Sequence, residues 1–199
     1  MTWWKQKEHL FIDEENKHKV LIVTDYDLHR GPMLRELLNK KMSEKMKEVV
    51  AFRSAGINAD NGENIARDAF DALKQFGVRL RPYGLESNTA TWKLVEEADC
   101  ILTVDQYAYN SLKSGIDENR QQMIRLTDFS SDPDIKQSQD IPSLRNKFSD
   151  DCIQVLEIFD DCTDSYLKHL ADKFNIQEEE KPKHWWKEIP QHWWEDRYY

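Results

Sequence analysis

Residues Val20 to Leu38 read VLIVTDYDLHRGPMLRELL. An apolar run, Val20-Leu21-Ile22-Val23, stops at a short polar loop from Thr24 to Gly31. After Pro32, the residues Met33, Leu34, Leu37 and Leu38 fall on one side of a helical pattern. The stretch therefore predicts a strand, a loop and a helix in that order. Such a unit points the loop's backbone N–H groups and the positive end of the helix at one spot, which suits an anion.

Outward from this unit the chain alternates. A strand at Val20–Val23 leads to a helix over Pro32–Lys47, and a strand at Val49–Ser54 leads through INADNGEN to a helix over Ile65–Phe76. Gly77 is a natural C-cap for that helix. Val78–Leu80 precedes Pro82 and Gly84, which mark a loop. A short helix at Thr91–Glu97 enters a strand at Cys100–Val104, and Tyr107–Lys113 reads as helical. Met123–Leu126 reads as a fourth strand, Thr127–Asn146 as a polar loop, and Asp150–Phe174 as a long amphipathic helix. Strands alternating with helices predict an α/β fold of three layers, a four-stranded parallel sheet covered on both faces. Ligands in such sheets bind beyond the carboxyl ends of the strands, where Thr24, Ser54, Asp105 and Thr127 are expected.

Three regions follow from composition: an extension at 1–19, an α/β domain at 20–174 and a tail at 175–199. The tail is acidic at Glu178–Glu180 and then aromatic, KPKHWWKEIPQHWWEDRYY. Trp185-Trp186 and Trp193-Trp194 lie there, and Trp3-Trp4 lies at the other end, so six of the seven tryptophans fall outside the predicted domain. Exposed Trp gains nothing until it is buried, so these pairs are expected either to fold back onto the domain or to anchor the chain on a protein partner or larger assembly.

The bulk numbers exclude several functions. A net charge of -9 argues against sequence-independent nucleic-acid binding, which needs clustered Lys and Arg. The hydrophobic content of 39% comes without any run as long as a membrane span, and MTWWKQKEHLF lacks a signal-peptide layout. Cys100, Cys152 and Cys162 have spacings that fit neither a disulfide framework nor a zinc site, so they are expected as small buried hydrophobes. A reducing, cytoplasmic setting is the expectation, and no cofactor is implied.

Four segments resemble the low-molecular-weight protein tyrosine phosphatases, whose fold thioredoxin-coupled arsenate reductases share. Thr24 to Gly31 followed by Pro32 has the length and the Arg-x-Pro ending of the family's C-x5-R-S loop. Arg53-Ser54-Ala55-Gly56 is placed like its Ser-Ala-Gly after the second strand. Asn61-Gly62 with Ala72 to Val78 is similar to its second helix and exit, and Glu96 to Asp105 to its third strand. The resemblance runs from about Lys19 to Leu170.

The departures carry the functional reading. In the family the first loop residue is a cysteine whose thiolate attacks phosphorus, and here it is Thr24. A hydroxyl does not ionise near neutral pH, and no base is evident beside it. The loop's second cysteine is His29, and the Ser after the Arg is Gly31. The family's Asp-Pro general acid aligns with Ser143, with Asp140 close by in Asp140-Ile141-Pro142-Ser143. Arg30 alone keeps its family role as a bidentate oxyanion clamp. Asp25 and Asp27 put two carboxylates into a cradle meant for a dianion, so Arg30 and His29 are expected to pair with them internally. The resemblance thus implies a pseudophosphatase with a self-satisfied loop, formed by Thr24, Asp25, Tyr26, Asp27, Leu28, His29, Arg30 and Gly31.

Two other readings exist. VLIVTDYDL also looks like the Asp-x-Asp opening of haloacid-dehalogenase-type phosphatases, with Asp25 as nucleophile, Asp27 as acid/base and Mg²⁺ between them. That likeness fails after about six residues, since Leu28-His29-Arg30 replaces the usual Gly-Thr. The other is a phosphatase whose altered loop still acts through Arg30 and the helix end, with losses of several powers of ten expected.

Overall fold

The computed structural model describes residues 14–80, 85–144 and 149–177. Trp3, Trp4, Trp185, Trp186, Trp193 and Trp194, with most of both expected terminal regions, lie outside the described residues. The elements run β1 (His18–Thr24), α1 (Arg30–Lys41), α2 (Glu44–Val49), β2 (Val50–Gly56), α3 (Arg67–Gln75) and α4 (Trp92–Glu97). They continue as β3 (Cys100–Thr103), α5 (Gln106–Lys113), β4 (Gln122–Arg125), α6 (Pro133–Ser138) and α7 (Ser149–Phe174). A 3-10 turn, Leu126–Phe129, follows β4.

The four strands form one parallel sheet in the order β2-β1-β3-β4. Alternate residues of β1 feed two cores, because successive strand side chains point to opposite faces. Val20 and Ile22 join Leu34, Phe52, Leu73, Leu102, Phe159 and Tyr166 under α1, α3 and α7. Leu21 and Val23 join Ala51, Ile101, Leu94 and Leu112 under α4 and α5. Both faces of β1 are covered, which explains why Val20–Val23 reads as an unbroken apolar run. Among the described residues no helix is long and apolar enough to cross a membrane.

Two expected elements differ. The single helix over Pro32–Lys47 is two helices, because Met42 turns extended (ψ 139°) and the Ser43 side chain accepts from the Met46 N–H to start α2. Ser43 followed directly by Glu44 is a start signal that outranks helical periodicity here. The expected polar loop Thr127–Asn146 contains the 3-10 turn and α6, the latter opened by Asp132 as N-cap with Pro133 behind it. Gly77 does end α3, with φ 75° and the Val78 N–H donating to the Leu73 carbonyl at 2.9 Å.

Candidate functional site

β1 and β3 lie side by side at the centre of the sheet, and the chain leaves β1 for β2 on one side and β3 for β4 on the other. The crevice at such a switch point lies beyond the carboxyl ends of these strands. There the loop Thr24–His29 meets the start of α1 and the start of α5. Neighbouring backbone staples the loop from below. The Ile57 N–H donates to the Thr24 carbonyl, Asn58 N–H to Asp25 and Ala66 N–H to Leu28, all at 2.8–2.9 Å. A cavity of about 160 Å³ opens above it, lined by Thr24, Tyr26, Leu28, His29, Arg30 and Ser143 among others.

Thr24 is buried, and its Oγ1 accepts the Asp27 N–H at 3.0 Å. A loop amide thus bonds the residue's own hydroxyl. The chain's three cysteines offer no substitute, since Cys100, Cys152 and Cys162 are all buried and unbonded to one another. Burial pushes the Cys100 thiol up to about 11 and the other two up to about 12, so none supplies a thiolate near neutral pH.

Arg30 is buried, and its pairing corrects the sequence expectation. Its Nη2 donates to Asp105 Oδ2 at 2.8 Å and its Nη1 to the Ile141 carbonyl at 2.7 Å, not to Asp25 or Asp27. Asp105 reaches it because β3 runs beside β1. The same carboxylate caps α5, its Oδ1 accepting the Ala108 N–H at 2.7 Å. Neither partner was assigned to Arg30 from sequence, although Asp105 was placed at a strand end. His29 likewise turns from the loop carboxylates to Asp68 of α3, 3.3 Å away. Burial lowers the His29 pKa, against the opposing pull of Asp68.

The two loop aspartates diverge. Asp25 points outward, its Oδ1 accepting from Asn58 Nδ2 at 2.7 Å, and the same amide reaches Tyr107 Oη at 3.0 Å. Asp27 is buried at a left-handed φ of 52°, where its Oδ2 accepts the Asn88 N–H at 3.0 Å. Its Oδ1 lies so close to Gly31 that a β-carbon there would sit 2.2 Å away. Burial raises the Asp27 carboxyl to about 7, with the Arg35 charge and the Asn88 and Ser54 hydrogen bonds opposing. The pair therefore does not converge on one point, as the Asp-x-Asp reading requires. Among the described residues no group of three His, Cys, Asp or Glu is placed to hold a metal ion.

Ser143 is in the cavity lining. Asp140 lies within electrostatic reach of both Arg30 and Asp105. Burial and the Asp105 charge raise its pKa, and Arg30 lowers it.

The profile of the family described as "Low molecular weight phosphotyrosine protein phosphatase" matches residues 13–176. Similar solved structures include the YwlE arginine phosphatase from Geobacillus stearothermophilus, 18% identical with a TM-score of 0.66, covering 82% of this chain and 99% of that one. A YwlE arginine phosphatase mutant, cysteine to serine with a phosphorylated active site serine, is 20% identical over 80% and 99% of the two chains, TM-score 0.67. The tyrosine phosphatase Wzb from Escherichia coli, in complex with sulphate, is 14% identical over 77% and 99%, TM-score 0.64. No curated protein matches the sequence.

Proposed function

The chain belongs to the low-molecular-weight phosphotyrosine protein phosphatase family, and from that premise we propose that it is a catalytically silent member that acts by binding. The observation that carries the reading is Thr24. It stands where the family's nucleophilic cysteine belongs, and its Oγ1 is engaged by the Asp27 N–H. A hydroxyl is a poor nucleophile without a base, and among the described residues no imidazole or amine is hydrogen-bonded to this one. Arg30, the remaining clamp, is engaged by Asp105 and the Ile141 carbonyl. The protein then works as a binding or structural subunit in a reducing, cytoplasmic compartment, with Trp3-Trp4 and the C-terminal tryptophan pairs as contact-making segments.

The test is hydrolysis of a generic aryl phosphate by the full chain with Mg²⁺ present. No turnover above a heat-killed control is expected. Turnover lost on Asp25→Asn would restore the Asp-x-Asp chemistry, and turnover that needs Arg30 but ignores Asp25 would restore the phosphatase reading.

A second reading draws on the serine mutant of the arginine phosphatase, in which the active site serine is phosphorylated. By analogy, Thr24 accepts one phosphoryl group and keeps it. Its oxygen displaces the leaving group from phosphorus, Asp140 protonates that leaving group, and the hydroxyl proton passes to water. Incubation with a phosphoguanidine would then add one phosphoryl mass to the chain but not to Thr24→Val, whereas a silent site gains no mass in either.

A further inference from the structure

A groove of about 570 Å³ lies at the amino ends of the strands, opposite the loop. His18 opens β1, Gln122 opens β4 and Asp99 directly precedes β3, and all three line it. Its volume is within the range of about 300–1,000 Å³ typical of small-molecule clefts. Three cations reach it from separate parts of the chain. Lys113 closes α5, Arg120 lies in the turn before β4, and Lys173 stands in the last turn of α7. Among the described residues none of the three has a carboxylate within ion-pair distance.

A lysine at a helix C-terminus offsets the helix dipole, which accounts in part for Lys113 and Lys173. Arg120 belongs to neither helix, so that reason does not reach it. Two carboxylates share the lining. Asp99 is already engaged, its Oδ2 accepting the Lys19 N–H at 2.8 Å and lying 3.6 Å from His18 Nδ1. Glu118 is left to oppose three cations, a local surplus of positive charge in a chain whose net charge is -9. The surplus is felt at His18, whose Nε2 lies 3.3 Å from Lys173 Nζ. Burial and the Lys173 charge lower the His18 pKa, against the pull of Asp99. The ring is thus a neutral acceptor for the ammonium at neutral pH.

We propose that this groove binds a small, multiply charged oxyanion, a phosphate- or carboxylate-bearing molecule whose acidic groups are shared among Lys113, Arg120 and Lys173. A single tetrahedral anion fills only a small part of the volume, so the ligand carries its charges on more than one group. The guanidinium of Arg120 suits a bidentate contact to either kind of group, and the two ammonium groups act as point charges. Ile116 and Met123 are the apolar part of the lining. They exclude water from one side of the ligand, which strengthens the attraction between the charges that remain. The Asn119 and Gln122 side-chain amides add neutral donors at the rim. The groove lies at the opposite end of the sheet from Thr24 and Arg30, and the proposal stands whether or not that loop is silent.

The test is a titration of the full chain with pyrophosphate and, separately, with citrate, at constant ionic strength and read from the His18 imidazole NMR signals. A saturable shift is expected, and the His18 pKa should rise on saturation because the bound anion offsets the Lys173 charge. Lys113→Gln with Arg120→Gln leaves the contact between His18 and Lys173 in place and should weaken binding about tenfold or more. Arg30→Met at the loop should leave the His18 response unchanged. The tighter of the two probes separates a phosphate-bearing ligand from a carboxylate-bearing one. The proposal is overturned if neither probe moves His18, if chloride does as much at equal ionic strength, or if the double variant binds as tightly as the unaltered chain. Loss of the His18 shift in Arg30→Met would also overturn it, by placing the anion at the loop.

Discussion

Helix α1 begins with Arg30 and ends with Lys41, and the two cations are 8% and 7% exposed. Lys41 is held against α7. Its Nζ lies 2.7 Å from the Asp160 carboxylate, 2.7 Å from the Asp160 carbonyl, 2.9 Å from the Thr163 hydroxyl and 2.7 Å from Asp164, all on α7. Arg30 is held by two separate loops, through Asp105 after β3 and the carbonyl of Ile141. Equal burial thus hides unequal roles. Lys41 fastens two helices that must pack anyway, whereas Arg30 ties together the loops that form the crevice. Burial of a charge is therefore no sign of a site until its position in the topology is known.

The largest expected effect lies at the fastener. Lys41→Met should cost about 3–5 kcal/mol in urea unfolding, because it takes an ammonium bonded at 2.7 Å away from the buried Asp160 carboxylate. A smaller loss would mean that water reaches Asp160 and the two ends of α1 are alike. Next is Asp27, whose raised pKa works against the fold. Below pH 3.8 both folded and unfolded states hold the proton, and between 3.8 and about 7 the folded state alone holds it, so stability falls as pH rises through that window. Asp27→Asn should therefore stabilise the protein by about 4 kcal/mol at pH 8 and by nothing at pH 3.5, read as the difference in thermal midpoints. An equal gain at both pH values would show that the carboxylate pays no burial cost.

Arg30→Met should cost about 1–2 kcal/mol, less than the change at Lys41, since Asp105 keeps its bond to the Ala108 N–H. Its sharper signature is the loss of any sulfate-induced rise in the thermal midpoint. The smallest effect is Ser43→Ala, about 1 kcal/mol by chemical unfolding, through loss of the cap that starts α2.

The sheet was legible because central parallel strands are apolar on both faces, and short apolar runs between helical patterns admit few other arrangements. Arg30 was legible through the loop's length and its Pro32 neighbour. Its partner was not, since Asp105 lies 75 residues away and no local pattern links the two. Asp27 was misread for a related reason. Its side chain is aimed by a left-handed backbone, and a sequence shows the residue type without the direction. Lys41 and Asp160 escaped notice because a lysine and an aspartate on amphipathic helices look like solvated surface.

Gly31 and Asp27 also bear on how this loop can change. A serine at position 31 would drive a β-carbon to within 2.2 Å of Asp27 Oδ1. A cysteine at position 24 would leave that obstacle in place, and replacing Asp27 alone would empty a buried space. Positions 27 and 31 are therefore one unit: a side chain at 31 is accommodated only when the residue at 27 shrinks in the same molecule.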